Sequence, residues 1–152
     1  MSWESTALYY RQINQEVKKR LGGLHSARLA MVSVDFEEIE VLQRHDEWDR
    51  AGELLGAAAR RIEAAGADFL LICTNTMHKV APQVQAAIDI PLLHIADATA
   101  ERIKAEGIET IGLLGTNFTM EEQFYAGRLA SRHGLRVLIP PLEEREFVHR
   151  VI

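Results

Sequence analysis

The sequence predicts an α/β protein: parallel sheets with flanking helices. Three observations point there. Amphipathic stretches of helical period recur along the chain and end at glycines, namely Gly22-Gly23, Gly66, Gly107 and Gly134. Short, apolar, β-friendly runs lie between them. Strands that alternate with helices cannot be joined by tight hairpins, so the strands run parallel.

The elements follow in order. Leu8, Tyr9, Ile13, Val17 and Leu21 recur near a 3.6-residue period, predicting a helix over 5–21 that Gly22-Gly23 stops. Its closing Lys18-Lys19-Arg20, the nearest thing to a basic run, reads more readily as complementing the helix dipole than as a binding patch. Residues 28–34 read as a strand. Asp35 reads as an N-cap, which makes Glu37, Glu38 and Glu40 a solvated helix start. Trp48, Ala51, Leu55, Ala58, Ile62 and Ala65 mark a helix ending at Gly66, and 68–73 (DFLLIC) reads as a strand buried on both faces. A helix over 82–88 has Pro82 in its first turn, 91–95 is a strand, and 98–106 is a helix closed by Gly107. Then come a strand over 109–114, a helix opened by the capping box Thr119-x-x-Glu122 and closed by Gly134, and a strand over 135–139. From 143 a further helical pattern runs to Ile152.

The chain also repeats itself weakly. Trp3, Tyr9 and Tyr10 align with Phe118, Phe124 and Tyr125 at the same offsets. A strand precedes the second copy, but none precedes the first, and the last helical pattern stops on apolar Val151-Ile152. The expectation is two pseudo-symmetric halves, 1–96 without an opening strand and 97–152 cut short.

Composition removes several functions. The 152 residues are 47% hydrophobic with 10 Gly and 4 Pro, which excludes disorder and low complexity. A net charge of -5 opposes a nucleic-acid partner, since phosphates need neutralising. No apolar run is long enough for a membrane span, and Met1-Ser2-Trp3-Glu4, with no basic region followed by an apolar one, gives no expectation of a signal peptide. One cysteine forms no internal disulfide, so a reducing cytoplasm is the expected compartment. The six histidines show no metal-ligand spacing and read as core or surface residues.

Ligands of open parallel sheets bind beyond the C-terminal strand ends. Three loops there concentrate hydroxyls and amides: Cys73-Thr74-Asn75-Thr76, Gly115-Thr116-Asn117-Phe118-Thr119, and the opening Met1-Ser2-Trp3-Glu4-Ser5-Thr6. Each could be a simple helix cap; together they favour an anion-binding cleft. Strand alternation sends Cys73 and Thr74 to opposite faces. A lone cysteine at the end of a buried strand is more often packing than chemistry.

These loops, with Tyr9-Tyr10, Ser33-Val34-Asp35-Phe36, Met77-His78-Lys79, His94-Ile95-Ala96-Asp97-Ala98-Thr99 and Leu113-Leu114-Gly115-Thr116, resemble the aspartate/glutamate racemase family through essentially the whole chain. The Cys-Thr-Asn-Thr loop is most similar to the bacterial L-aspartate/L-glutamate-specific branch. The resemblance implies two pseudo-symmetric α/β domains with an active site between them. It implies cofactor-independent racemisation of an acidic amino acid, without a metal. Inversion removes a proton from one face of Cα and delivers one to the other, so it takes two acid/base groups. The first resembles Thr74, with Cys73 as its rival because a thiol ionises far more easily. The second is a cysteine in a Gly-Cys-Thr-Glu motif that these 152 residues do not contain. Met1, Gln43, Asn75 and Thr76 resemble substrate-binding positions, and Thr116 joins them through the internal repeat. A homo-oligomer is compatible with this reading. Hydantoin racemases and maleate isomerases are the neighbouring enzyme readings, disfavoured by Met-Ser-Trp-Glu-Ser-Thr. A non-catalytic carboxylate-binding module is the alternative of another class.

Overall fold

A strand needs a hydrogen-bonded partner as well as propensity, and that condition separates the predicted strands that form from those that do not. A computed structural model describes residues 2–152. In it β1 (Thr110–Gly112) pairs in parallel with β2 (Arg136–Leu138), in the register Thr110↔Arg136, Ile111↔Val137, Gly112↔Leu138. Bonds from Arg136 N to Glu109 O and from Leu113 N to Leu138 O, both 2.8 Å, extend the ladder. The predicted runs 109–114 and 135–139 therefore pair as expected, over shorter lengths.

The other predicted strands need correction. Runs 68–73 and 91–95 meet through a single parallel bridge, Leu70 with Leu92, carried by Leu70 N donating to Pro91 O at 2.9 Å. Pro91 has no N–H to give, and Ile95 is already helical, which leaves little backbone for a longer ladder. The run 28–34 forms no strand. Residues 25–35 carry no regular structure, and Ala27 N–H is taken by the Asn14 side chain at 3.0 Å.

The chain divides into two units. The first holds the residues up to Thr74 with Val80–Leu92. It comprises α1 (Trp3–Leu21), α2 (Phe36–Arg44), α3 (Trp48–Ala64) and α4 (Ala81–Ala86). α3 packs against α2 and α4. It buries Ala51, Leu55, Ala58 and Ala59, while α2 contributes Ile39 and α4 contributes Ala81 and Val84. Asp35 caps α2 by accepting from Glu37 N at 3.1 Å, as its position predicted. Gly22 closes α1 at φ 77°, a conformation a side chain would resist. α1 buries no residue; Trp3, Leu8, Tyr10 and Leu21 stay exposed.

The second unit holds Asn75–Lys79 and Leu93–Ile152. Its helices are α5 (Ile95–Ala105), α6 (Asn117–Glu121), α7 (Arg128–His133) and α8 (Leu142–Val151). Ala96, Ala100, Tyr125, Leu129 and Leu135 form its core, with Ile95, Ile103, Ile111, Leu113, Phe124 and Val137 around them. Two boundaries differ from the sequence pattern. α5 starts at Ile95 because His94 caps it. The helix expected from Thr119 to Gly134 begins at Asn117 instead, with Thr116 as its cap. It breaks at Glu122 (φ -89°, ψ 153°), passes through a π turn over Gln123–Gly127 and resumes as α7, which Gly134 ends in the left-handed region. Among the described residues no helix is long and apolar enough to cross a membrane.

Candidate functional site

The sequence-predicted residues fall into two groups, one in each unit, and Met1 lies outside the described residues. In the first unit Cys73 and Thr74 are half-buried in a bend just beyond the Leu70 bridge. The start of α1 supplies what meets Cys73. Ser2 caps this helix by accepting from Ser5 N at 3.4 Å, and Ser5 Oγ donates to the Cys73 carbonyl at 2.7 Å.

The thiol itself is poised between opposing effects. Burial pushes the Cys73 thiol up from its ordinary value, and a hydrogen bond from the Thr6 side chain works against that rise. The Thr6 hydroxyl also reaches the Ser2 carbonyl at 3.2 Å. Its single proton serves one acceptor at a time. Gln43 lies half-buried in the last turn of α2, and its carbonyl accepts from Asp46 N at 3.2 Å.

In the second unit the structure joins Thr76 to Thr116. Asn75 is exposed, and its carbonyl accepts from His78 N at 3.0 Å, starting the turn Thr76–Val80. Thr76 Oγ1 lies 3.4 Å from Thr116 Oγ1, which lies 3.2 Å from buried Thr119 Oγ1. Thr119 N–H also donates to Thr116 Oγ1 at 3.4 Å. The sequence presented Thr119 as a capping side chain, but its amide is the group being capped. Gly115 makes room for this row, since a Cβ there would lie 3.1 Å from the Thr119 side chain. A row of hydroxyls can rotate its protons toward an anion, so the arrangement suits a carboxylate.

Four further side chains of the same unit, which sequence reasoning assigned no site role, are tied into its backbone and to one another. Lys79 Nζ pairs with Glu122 at 2.9 Å and sits 5.9 Å from the centroid of the Phe118 ring. His78 and His94 are buried with ring centroids 4.4 Å apart. Ile95 N donates to His78 Nε2 and Ala96 N to His94 Nδ1, both at 3.2 Å. Two imidazoles thus satisfy two amides of the first turn of α5, and each accepting nitrogen must be unprotonated. Burial, then the facing His78 and the positive Arg128 and Arg132, hold His94 down at about 3, with Asp97 opposing. The signal for this role lay in the chain, since a buried histidine directly before a helical run is a cap candidate.

Asp97 completes the support. Arg128 grips both its oxygens at 2.6 Å, and His133 Nε2 approaches at 2.9 Å. The Arg128 hydrogen bonds hold the Asp97 carboxyl well below the usual carboxylate range; burial opposes them, and His133 adds to them.

Parallel pairing between helices, with hydroxyl-bearing loops ahead of helix starts, places the chain in the α/β class. The chain belongs to the Asp/Glu/hydantoin racemase family, which it matches over residues 1–152. It is similar to a crystal structure of a candidate Asp/Glu racemase from Yersinia pestis, with 57% identity and a TM-score of 0.94 over 99% of this chain. It also resembles an aspartate racemase homologue from Pyrococcus horikoshii, with 34% identity and a TM-score of 0.81, again over 99% of this chain. The chain spans 65% and 66% of those two structures. A broad specificity amino-acid racemase of Bacillus subtilis is 31% identical over 81 residues, which are 53% of this chain and 34% of that relative.

Proposed function

We propose that this chain carries part of a cofactor-independent racemase site for aspartate or glutamate. Family membership supports a racemase. The observation that favours a carboxylate ligand is the meeting of Thr76 and Thr116, 40 positions apart in the chain, hydroxyl to hydroxyl; the acidic side chain is carried by the family resemblance. In this reading Thr76 and Thr116 donate to a substrate carboxylate, and Asn75 and Gln43 supply amides. Met1 adds its backbone. Cys73 or Thr74 takes the α-proton. The thiol is the more capable base, because an unassisted threonine hydroxyl barely ionises near neutral pH, and the Thr6 hydroxyl supports the thiolate. A reducing compartment such as the cytoplasm keeps that thiol free.

Exchange in deuterium oxide tests the proposal. L- and D-aspartate and L- and D-glutamate are incubated with the protein, and loss of the α-proton is followed by NMR alongside chiral chromatography. The expected result is α-proton exchange of one enantiomer that outpaces inversion, since one cysteine serves one face of Cα. With Cys73 as base the rate climbs with pH above neutrality, because the thiol ionises late. Cys73→Ser then lowers exchange roughly 10²-fold or more, within the usual range for a general base. If Thr74→Ala abolishes exchange while Cys73→Ser spares it, the base is Thr74. Binding without exchange of any of the four would leave a carboxylate-binding module and remove the catalytic reading.

A further inference from the structure

The turn Thr76–Val80 carries a proposed substrate ligand, yet no paired strand holds it. Side chains fix it instead. His78 reaches the α5 backbone, and Lys79 reaches Glu122. Both partners of that ion pair are largely enclosed, with 25% and 32% of their side-chain surfaces exposed. Enclosure of this degree weakens screening by water and makes the pair geometrically demanding.

Glu122 is also where the helix breaks. Its ψ of 153° takes it out of the helical region just after α6, while its N–H still bonds Phe118 O at 3.2 Å. A π turn follows, anchored by buried Tyr125. Such turns are frequent at functional sites. Here the redirected carboxylate meets Lys79, three residues along the turn from Thr76.

We propose that Lys79 and Glu122 are a positioning pair: their ion pair holds the turn so that Thr76 stays against Thr116, and thereby sets affinity for the substrate carboxylate. This rests on the reading of Thr76 and Thr116 as substrate ligands. Neither charged residue needs to touch substrate. Lys79 as a direct carboxylate ligand is the rival, and Glu122 separates the two. Neutralising Glu122 loosens the turn if the pair positions, but frees a cation for the substrate if Lys79 binds directly.

Two readouts decide, both on the full chain with Lys79→Met, Glu122→Gln, the double variant and Lys79→Arg. Threonine-methyl NMR without ligand reports the Thr76–Thr116 contact. Both methyl signals move and their Overhauser contact weakens in each neutral variant, while Lys79→Arg retains the wild-type pattern. Titration with L-aspartate reports affinity. Each single neutral variant loses about tenfold, the size of one enclosed coupling, and the double variant loses no more than either. Unchanged Thr76 and Thr116 signals in both Lys79→Met and Glu122→Gln overturn the proposal. So do additive losses in the double variant, or tighter L-aspartate binding by Glu122→Gln. Failure of the wild-type protein to bind L-aspartate removes the substrate reading alone; the ligand-free methyl spectra still judge the pair. Glu122→Gln keeps shape and hydrogen-bonding capacity, so it remains informative should Lys79→Met unfold.

Discussion

Cys73 and Thr76 stand three positions apart in the chain, yet they are held by different means. The Cys73 carbonyl takes the Ser5 hydroxyl and its sulfur takes Thr6, both from the start of α1. That helix buries no residue of its own. Thr76 instead belongs to a unit in which a hydroxyl row, an enclosed ion pair and two imidazole caps rest on a core of Ala96, Ala100, Tyr125, Leu129 and Leu135. The same residue types, Ser and Thr at a helix start, serve in both places. Hydrogen bonds with little apolar burial behind them contribute modestly, because water competes for the same groups. The comparison teaches that support, more than residue type, distinguishes the two loops.

The largest expected effect lies on the supported side. Asp97→Ala removes the carboxylate that Arg128 grips bidentately and leaves a cation with 22% of its side chain exposed beside the core. Breaking an enclosed pair from one side costs about 3 kcal/mol, at the lower end for such pairs because some water reaches this one. Urea unfolding followed by a signal from the second unit measures it. A loss under about 1 kcal/mol would say that the core alone holds this unit and that the polar support is incidental.

Acid should separate the two regions next. His94 sits at about 3 in the fold against 6.5 as a free side chain. Its folded value is depressed, so the unfolded chain binds the proton more readily. The stabilisation is complete above the free value and fades as pH falls toward the folded one. Linkage gives at most about 1.4 kcal/mol per pH unit, and less near the free value where the unfolded histidine is only half protonated, hence about 1.6 kcal/mol lost between pH 6.5 and 5. Asp97 acts in the same direction lower down, since its depressed carboxyl stabilises above the ordinary carboxylate range and loses that effect as acid protonates it. His94→Asn keeps a capping oxygen and removes the titration, so its stability should fall far less between pH 7 and 5. Equal acid sensitivity in wild type and His94→Asn would assign the effect elsewhere.

The sequence made the helices and the class legible, for a physical reason: helices carry their hydrogen bonds within themselves. The period of α3, the glycine stops and the Asp35 cap are local facts, and each appears as read. Strands were legible only as propensity. The run 28–34 looks as β-friendly as 109–114, but a partner decides, and partners are not written locally. The same holds at the site. Thr76 and Thr116 could be named from their loops, whereas their contact depends on the fold. Thr119 was misread because a capping box has a local signature that Thr116, three residues earlier, pre-empts with the same side-chain chemistry. The His94 cap has a local signature, a histidine directly before a helical run, but Lys79–Glu122 and the reach of His78 to Ile95 N have none, since each joins residues from separate elements with no spacing rule between them.

The smallest effect is expected where Cys73 is held. Ser5→Ala removes the 2.7 Å bond to the Cys73 carbonyl and the hydroxyl next to the Ser2 cap, but leaves that cap's acceptor in place. With no buried residue on α1 behind it, the loss should be about 1 kcal/mol, the net worth of one hydrogen bond, and should fall on the first unit alone. Native-state amide exchange reads this residue by residue. Amides of α1 should exchange faster in the variant, those of α5 and α7 should not change, and in the wild type α1 should already be the less protected. If α1 is as protected as α5, it is braced by more than the hydroxyl ties. The contrast between the two loops would then come down to their chemistry, with thiol and hydroxyl on equally firm ground.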